Sequence, residues 1–374
     1  MTPYQPDSLP LEGLDYGKLI TSVGKANAAL AEYSGLLQGI VNPAVMLSPL
    51  TNQEAVLSSK IEGTQATMEE VLEHEAGEAF DEHKNADIQE ILNYRHALMV
   101  AQGYLQEGRS ITLNLLLQLH QILLDSVRGQ SKEPGSFRKE QNWIGFAGCS
   151  MEQASFVPPS PLRLADHLDA WQHYVSGDDF DVLAQAAIMH AQFELLHPFK
   201  DGNGRIGRLL IPLFLYAKGR LPSPMFYLSG YLESHRDEYY ARLGRISAEG
   251  DWDGWIAFFL DAIIEQAGSN VKRVRQIMAL YESTKKQVLE LTHSQHTSRL
   301  VDTLFDRPIF RVSDFCERSG INRQTLHYLL RALLQPAGPL TILREGAGSR
   351  PSIYAFPALL NICEGKEVLP MVKE

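Results

Sequence analysis

The chain has 374 residues, 44% hydrophobic and 21% charged, which is ordinary globular usage and enough length for two or three domains. A net charge of -11 excludes general adhesion to nucleic acid or to an anionic membrane. Cys149, Cys316 and Cys363 are widely spaced and form no C-x-x-C pair, so free thiols in a reducing cytosol are expected, and no structural zinc. The polar, proline-bearing start at residues 1–10 does not read as a signal peptide, and the apolar run 209–217 is too short to span a bilayer. These features predict a cytoplasmic enzyme or regulator with no membrane partner.

The first 50 residues begin loosely and turn helical over 16–37, with Pro43 and Pro49 expected to break the pattern. Thr51-Asn52-Gln53-Glu54 reads as a capping box that opens a helix through Ala55, Leu57 and Ile61, with Gly63 as its stop. Ser58 and Glu62 are four apart and share a face. Glu62 falls in the last turn, where the helix dipole disfavours a carboxylate, so a cation from elsewhere is expected to meet it. Helices follow over 68–72, 87–104 and 113–127. The leucine stripe of the last is core, and His120 on it reads as a satisfied buried histidine. His74, His83 and His96 lack metal-like spacing.

Residues 129–161 are punctuated by glycine and proline. Segments 143–147 and 154–158 are expected to be extended, joined by a turn at 148–153. Such a hairpin offers an edge to an incoming peptide strand. Helices are predicted over 162–175 and 179–196, with His190 packing or capping, and Pro198 is expected to push His197 out of the helical region.

The stretch from His197 to Arg208, HPFKDGNGRIGR, carries the chemistry. Gly202 and Gly204 leave backbone N–H groups unshielded, and helical apolar spacing resumes at Ile206, Leu209, Leu210 and Leu213. The turn therefore opens onto a helix N-terminus, a natural phosphate site. Arg205 and Arg208 share one face of the first turn. Asp201 is a hard oxygen ligand suited to Mg2+ held jointly with phosphate, and His197 is the group able to take a proton near neutral pH. Pro212 should kink the following helix or mark a restart.

Helices are expected over 227–243 and 252–266, and a charged helical connector over 270–294. A short helix from Arg311 to near Gly320, then one capped by Asn322 through Leu326, Leu329, Leu330 and Leu333, reads as a helix-turn-helix. Segments 340–343 and 352–356 complete a winged helix. Residues 299–350 hold eight arginines and five acidic residues, a local net of +3. That sign change fits DNA contact through Arg323, Gln324 and His327. A dimer or protein-docking module is the other use of such a unit.

The stretch 197–208 resembles the signature of the Fic (filamentation induced by cAMP) family, H-x-F-x-D-G-N-G-R-x-x-R, and matches every specified position. Ser58-Ser59-Lys60-Ile61-Glu62-Gly63 is similar to the family's inhibitory motif, [S/T]-x-x-x-E-[G/N]. The resemblance implies a mainly α fold: a Fic helical bundle with a small β-hairpin flap, joined to a winged helix. The expected domains are an N-terminal helical region 1–105 carrying the inhibitory helix 51–63, a catalytic core 106–268, a connector 269–294 and a winged-helix domain 295–374.

The resemblance also implies an activity: a protein adenylyltransferase that moves AMP from ATP onto Tyr, Thr or Ser hydroxyls. His197 would accept the hydroxyl proton, and Asp201 would hold Mg2+. Gly202, Asn203, Gly204, Arg205, Ile206, Gly207 and Arg208 would cradle the phosphates, with Tyr239 and Tyr240 near the base. Glycine at 204, where kinase relatives carry lysine, favours AMP transfer over phosphorylation. Ser58, Glu62 and Gly63 would form the inhibitory site, Glu62 taking Arg208 from the γ-phosphate. The flap 143–158 would dock the target, with self-modification as a further outcome. The alternatives are a hydrolase that removes AMP and a DNA-binding transcriptional regulator whose core senses nucleotide.

Overall fold

The structure is a computed structural model that describes residues 2–370 apart from 41, 127–129, 147 and 349. In chain order the elements are α1 (Tyr16–Gln38), α2 (Pro43–Met46), α3 (Ser48–Ile61), α4 (Met68–Glu75), α5 (Glu82–Gln106), α6 (Leu113–Leu123), α7 (Leu164–Ser176) and α8 (Val182–Leu196). There follow α9 (Asn203–Ala217), α10 (Ser229–Ser234), α11 (Arg236–Glu249), α12 (Trp252–Thr292), α13 (Thr297–Asp306), β1 (Ile309–Phe310), α14 (Val312–Ser319), α15 (Arg323–Leu333), β2 (Thr341–Arg344), β3 (Ile353–Ala355) and α16 (Pro357–Glu364). No helix among the described residues is long and apolar enough to cross a membrane.

Two compact units result, and they do not follow chain order. The first comprises residues 1–35, 57–64 and 89–268; the second comprises 36–56, 65–88 and 269–374. The expected boundaries differ because α1, α3, α5 and α12 each contribute to both units.

Within the first unit α8 is the central element. It is apolar all round and buried along almost its whole length, the condition for a helix enclosed on every side. Ala184, Ala187 and Ala191 are fully buried and let neighbouring backbones approach. Trp171 and Trp255 pack against it, their indole N–H groups donating to the Met189 and Ala187 carbonyls at 2.9 and 2.8 Å. Asp181 caps its start, its Oδ1 accepting from Leu183 and Ala184 N–H at 2.8 and 3.1 Å. Helix α9 returns beside α8 and runs without interruption through Pro212.

Local differences from the sequence reading have physical causes. Helix α3 starts at Ser48, not at Thr51, because Pro49 sits in a first turn that needs no N–H donor. Capping boxes are instead seen at Thr67–Glu70, which opens α4, and at Ser150–Gln153 in the flap. The expected connector is continuous with the preceding helix, giving the single α12. The flap hairpin is paired at Ile144 and Phe156 around a short helical turn, Met151–Gln153. Its expected strand end, Ala147, and the expected α6 end, Val127, lie outside the described residues.

In the second unit a helix-turn-helix, α14 and α15, turns at Gly320 (φ 66°), and Asn322 Oδ1 accepts from Thr325 N–H at 2.9 Å. A three-stranded antiparallel sheet in the order β1-β3-β2 lies with these helices, and α4 packs on β1. The two-residue strand β1 was too short to carry a period.

Because Asp181 satisfies two of the orphan N–H groups of α8, Asp181→Ala should lower unfolding free energy by about 1–2 kcal/mol, measured by urea denaturation.

Candidate active site

The site is the loop between α8 and α9. His197 ends α8 at φ 45° and ψ 59°, in the left-handed region and so out of the α-helical one. Its carbonyl accepts from Arg138 Nε at 2.9 Å. Phe199 is fully buried beneath the loop and stacks on His120 with centroids 3.8 Å apart. Asn203 closes the loop on itself: its Oδ1 accepts from Phe199 N–H at 2.8 Å and its Nδ2 donates to Phe199 O at 2.9 Å. That role differs from the phosphate contact expected of it, since the amide is buried and bonded to the backbone.

His120 does more than fill space. Gly135 N–H donates to its Nδ1 at 3.0 Å, so that nitrogen is bare and Nε2 carries the proton, donating to Asp201 O at 3.0 Å. Burial lowers its pKa to about 4, which keeps it neutral. It thereby fixes the carbonyl just before the glycine turn. Asp201 Oδ1 accepts from Gly202 N–H at 2.6 Å, and Gly202 takes φ 77°, a conformation glycine adopts without strain.

The two signature arginines separate. Arg205 is buried in an ion pair with Glu90 at 3.1 Å, and its Nη2 lies 3.8 Å from Asp201. In this structure it ties α9 to α5. Glu90 had no sequence signal beyond a charge on a helix. Arg208 behaves as expected of the second arginine. Its Nη2 reaches Glu62 Oε1 at 2.7 Å and Ser58 O at 2.8 Å, and its Nε donates to Ser58 Oγ at 2.9 Å. Its Nη1 has no partner among the described residues. A Cβ at position 204 would lie 2.3 Å from Glu62 Oε1, so glycine there is what admits the carboxylate. Gly63, at φ 101°, turns the chain immediately after Glu62.

Burial sets the protonation states. It drives His197 down to about 4, with the Glu194 carbonyl opposing and the Arg138 charge assisting, so the imidazole is neutral and able to accept a proton. Burial pushes Glu62 up, but the Arg208 charge and hydrogen bond outweigh it, and the net pKa is lowered. Glu194, partly buried beside α9, is pushed up to about 8 by desolvation, and its Oε1 has no partner among the described residues. A Cβ at Gly207 would lie 2.1 Å from that oxygen, so Gly207 makes room for Glu194, and Ile206 is core.

Of the expected tyrosine pair, Tyr239 is buried with its hydroxyl 3.0 Å from His190 Nε2, whereas Tyr240 is 45% exposed. The structure thus places only Tyr240 where a ligand can reach. No group of three or more metal-ligating side chains occurs among the described residues. Asp201, half-exposed, fits a cation whose other ligands are phosphate and water, which is how Mg2+ is commonly held.

Residues 20–103 match the Fic/DOC family N-terminal domain and residues 110–215 match the Fic/DOC family. The chain belongs to the Fic/DOC family. Over 188 residues, half of this chain, it is 30% identical to proteins named "Protein adenylyltransferase Fic" of Drosophila grimshawi and Drosophila virilis. It spans about a third of the length of these curated relatives (34%). A Fic family protein from Desulfovibrio desulfuricans G20 shares the fold, with TM-score 0.57 at 17% identity, covering 95% of this chain and 98% of that one. Fic-1 (residues 134–508) from C. elegans gives TM-score 0.52 at 20% identity, covering 71% of this chain and 74% of that one.

The Fic core's partly buried glutamate yields a pH test. A folded pKa of about 8 against an ordinary 4.5 means that Glu194 holds a proton the unfolded chain releases. Its contribution is full below the ordinary value and is lost as pH rises through about 8. The lowered histidines act oppositely but are common to both proteins. Glu194→Gln should therefore gain stability relative to wild type between about pH 5 and pH 8, read by urea unfolding at both values.

Proposed function

We propose that the chain transfers AMP from ATP to Tyr, Thr or Ser hydroxyls of target proteins and is held off by Glu62. The observation that carries this reading is a half-buried, neutral imidazole on the rim of a glycine turn that opens onto a helix N-terminus. In this reading the triphosphate lies across the turn, with N–H groups of the Gly202–Gly204 stretch on its oxygens and the dipole of α9 behind them. The target hydroxyl attacks the α-phosphorus and gives its proton to His197. The bond to the β-phosphate oxygen breaks and pyrophosphate departs. Asp201 is the residue that would hold Mg2+, which would supply charge neutralisation as the leaving group forms. His120 and Asn203 keep the turn in shape while this happens.

Glu62 as an inhibitor is supported by what it occupies. Arg208 is the signature cation that Glu90 does not hold, and Glu62 with Ser58 takes its Nη2 and Nε. A γ-phosphate competing for Arg208 must displace the carboxylate. The flap around Ile144 and Phe156, which exposes Trp143 and Phe146, is the proposed dock for the target, and a second copy of this chain can serve as one.

We infer that the second unit is a winged helix, from its helix-turn-helix and antiparallel hairpin. Its basic excess is largely internal: Arg307, Arg311, Arg318 and Arg344 all pair with carboxylates. Arg344, on the hairpin, meets Glu73 of α4 at 2.5 Å. Arg323, Gln324 and His327 are exposed on α15, but the internal pairing favours protein docking over DNA contact. Retention on a DNA column without AMP transfer would instead support the regulator.

Labelled AMP incorporation tests the enzyme reading. Glu62→Gly should raise self-modification and lysate labelling by about 10²-fold, and His197→Ala in that background should remove about 10²–10⁴-fold. Labelling that survives His197→Ala refutes the base, and an unchanged rate in Glu62→Gly refutes inhibition. Release of AMP from a modified protein by wild type would assign Glu62 to water activation instead.

A further inference from the structure

The carbonyls of three consecutive residues at the start of the signature are held from one short segment upstream. Arg138 Nε donates to His197 O at 2.9 Å, Arg138 N–H to Pro198 O at 2.9 Å, and Asn142 Nδ2 to Phe199 O at 3.2 Å. The remaining guanidinium donors reach the flap. Arg138 Nη1 donates to Glu140 O at 3.3 Å, where the flap leaves, and Nη2 to Pro159 O at 2.6 Å, where it returns. The same Nη2 lies 3.3 Å from Leu196 O, at the end of α8. Gln141 Nε2 closes the flap root by donating to Pro158 O at 2.9 Å.

One buried cation thus joins both roots of the flap to the two residues that end α8. Arg138 is 3% exposed, and the bonds just described all go to main-chain carbonyls. Burying a charge among dipoles is unfavourable unless each donor is aimed, and the planar guanidinium fork aims several at once, which an ammonium cannot do. One residue it holds, His197, is in the left-handed region that non-glycine residues rarely adopt, and the Arg138 bond to its carbonyl restrains it there.

We propose that Arg138 is a positioning residue that locks the His197 backbone to the flap, so that the surface receiving the target and the proton-accepting imidazole move as one body. The proposal rests on the AMP-transfer reading of this site. A target strand that orders the flap through its edge also fixes Pro159 and Glu140, and through Arg138 it fixes the dihedral angles that aim the imidazole. The Arg138 charge additionally opposes protonation of His197, against Glu62, Asp201 and the Glu194 carbonyl, which favour it.

The test places Arg138→Gln and Arg138→Lys in the full-length Glu62→Gly protein. Self-modification at saturating ATP, ATP affinity by calorimetry, and the His197 pKa by imidazole NMR are measured, with His197→Ala assigning the resonance. For Arg138→Gln we expect kcat lowered about 10²-fold, ATP affinity within about threefold, and a raised His197 pKa. Arg138→Lys, which keeps the charge without the fork, should leave the His197 pKa near its parent value and give an intermediate rate. A folded Arg138→Gln with kcat within about threefold of its parent overturns the proposal, as does a loss confined to ATP affinity. Should Arg138→Gln fail to fold, full activity in Arg138→Lys overturns it. If the Glu62→Gly parent shows no AMP transfer, the AMP-transfer reading fails on its own, and an unmoved His197 pKa in Arg138→Gln separately sinks the positioning role.

Discussion

Helix α8 has almost no solvent face, and the chemistry of the loop after it follows from that enclosure. His190, fully buried, and Glu194 and His197, partly buried, lie on or just past its last turns, where burial weakens the stabilisation of charge by water. All three are therefore neutral near physiological pH: the imidazoles are driven down to about 3 and 4, and the carboxyl is driven up to about 8. A surface histidine would be partly protonated under the same conditions. The burial that makes α8 the centre of its unit also delivers an imidazole ready to accept a proton, with no carboxylate needed to orient it.

Three buried guanidinium groups surround this loop, and each is compensated differently. Arg205 has a carboxylate of its own unit, Glu90, and serves the joint between α9 and α5. Arg138 has main-chain carbonyls and serves the flap root. Arg208 has Glu62 and Ser58, and its Nη1 remains without a partner among the described residues. Removing a partner from a buried charge is far more costly than the pair's net worth. Arg138 spends its guanidinium on main-chain carbonyls, whereas Arg205 Nε and Arg208 Nη1 are each without a partner among the described residues. A phosphate replacing Glu62 would conserve the charge balance of Arg208.

Glycines at 202, 204 and 207 act by three separate means. Gly202 supplies a left-handed backbone, Gly204 leaves the space that the Glu62 carboxylate fills, and Gly207 leaves the space for Glu194. The signature pattern leaves position 207 unspecified, and in this chain the Glu194 carboxyl of the facing helix occupies the space a side chain there would enter. Two of the three glycines are thus explained by a carboxylate from another helix and not by backbone conformation.

The sequence alone determined what depends on local order. The glycine turn feeding a helix, the buried character of His120, the Ser58–Glu62 face, the Asn322 cap and the strands β2 and β3 are all set within a few residues, where spacing and side-chain chemistry act directly. Tertiary structure decided which charge meets which. Glu90 and Arg205 are 115 residues apart, and Arg138 and His197 are 59 apart, so no local period links them. It also decided that Arg205 and Asn203 serve the loop's shape, that Tyr239 is core, and that four basic residues of the second unit face carboxylates. A residue's type limits the bonds it can make; its burial and the groups packing brings to it decide which it makes, and that depends on the whole chain.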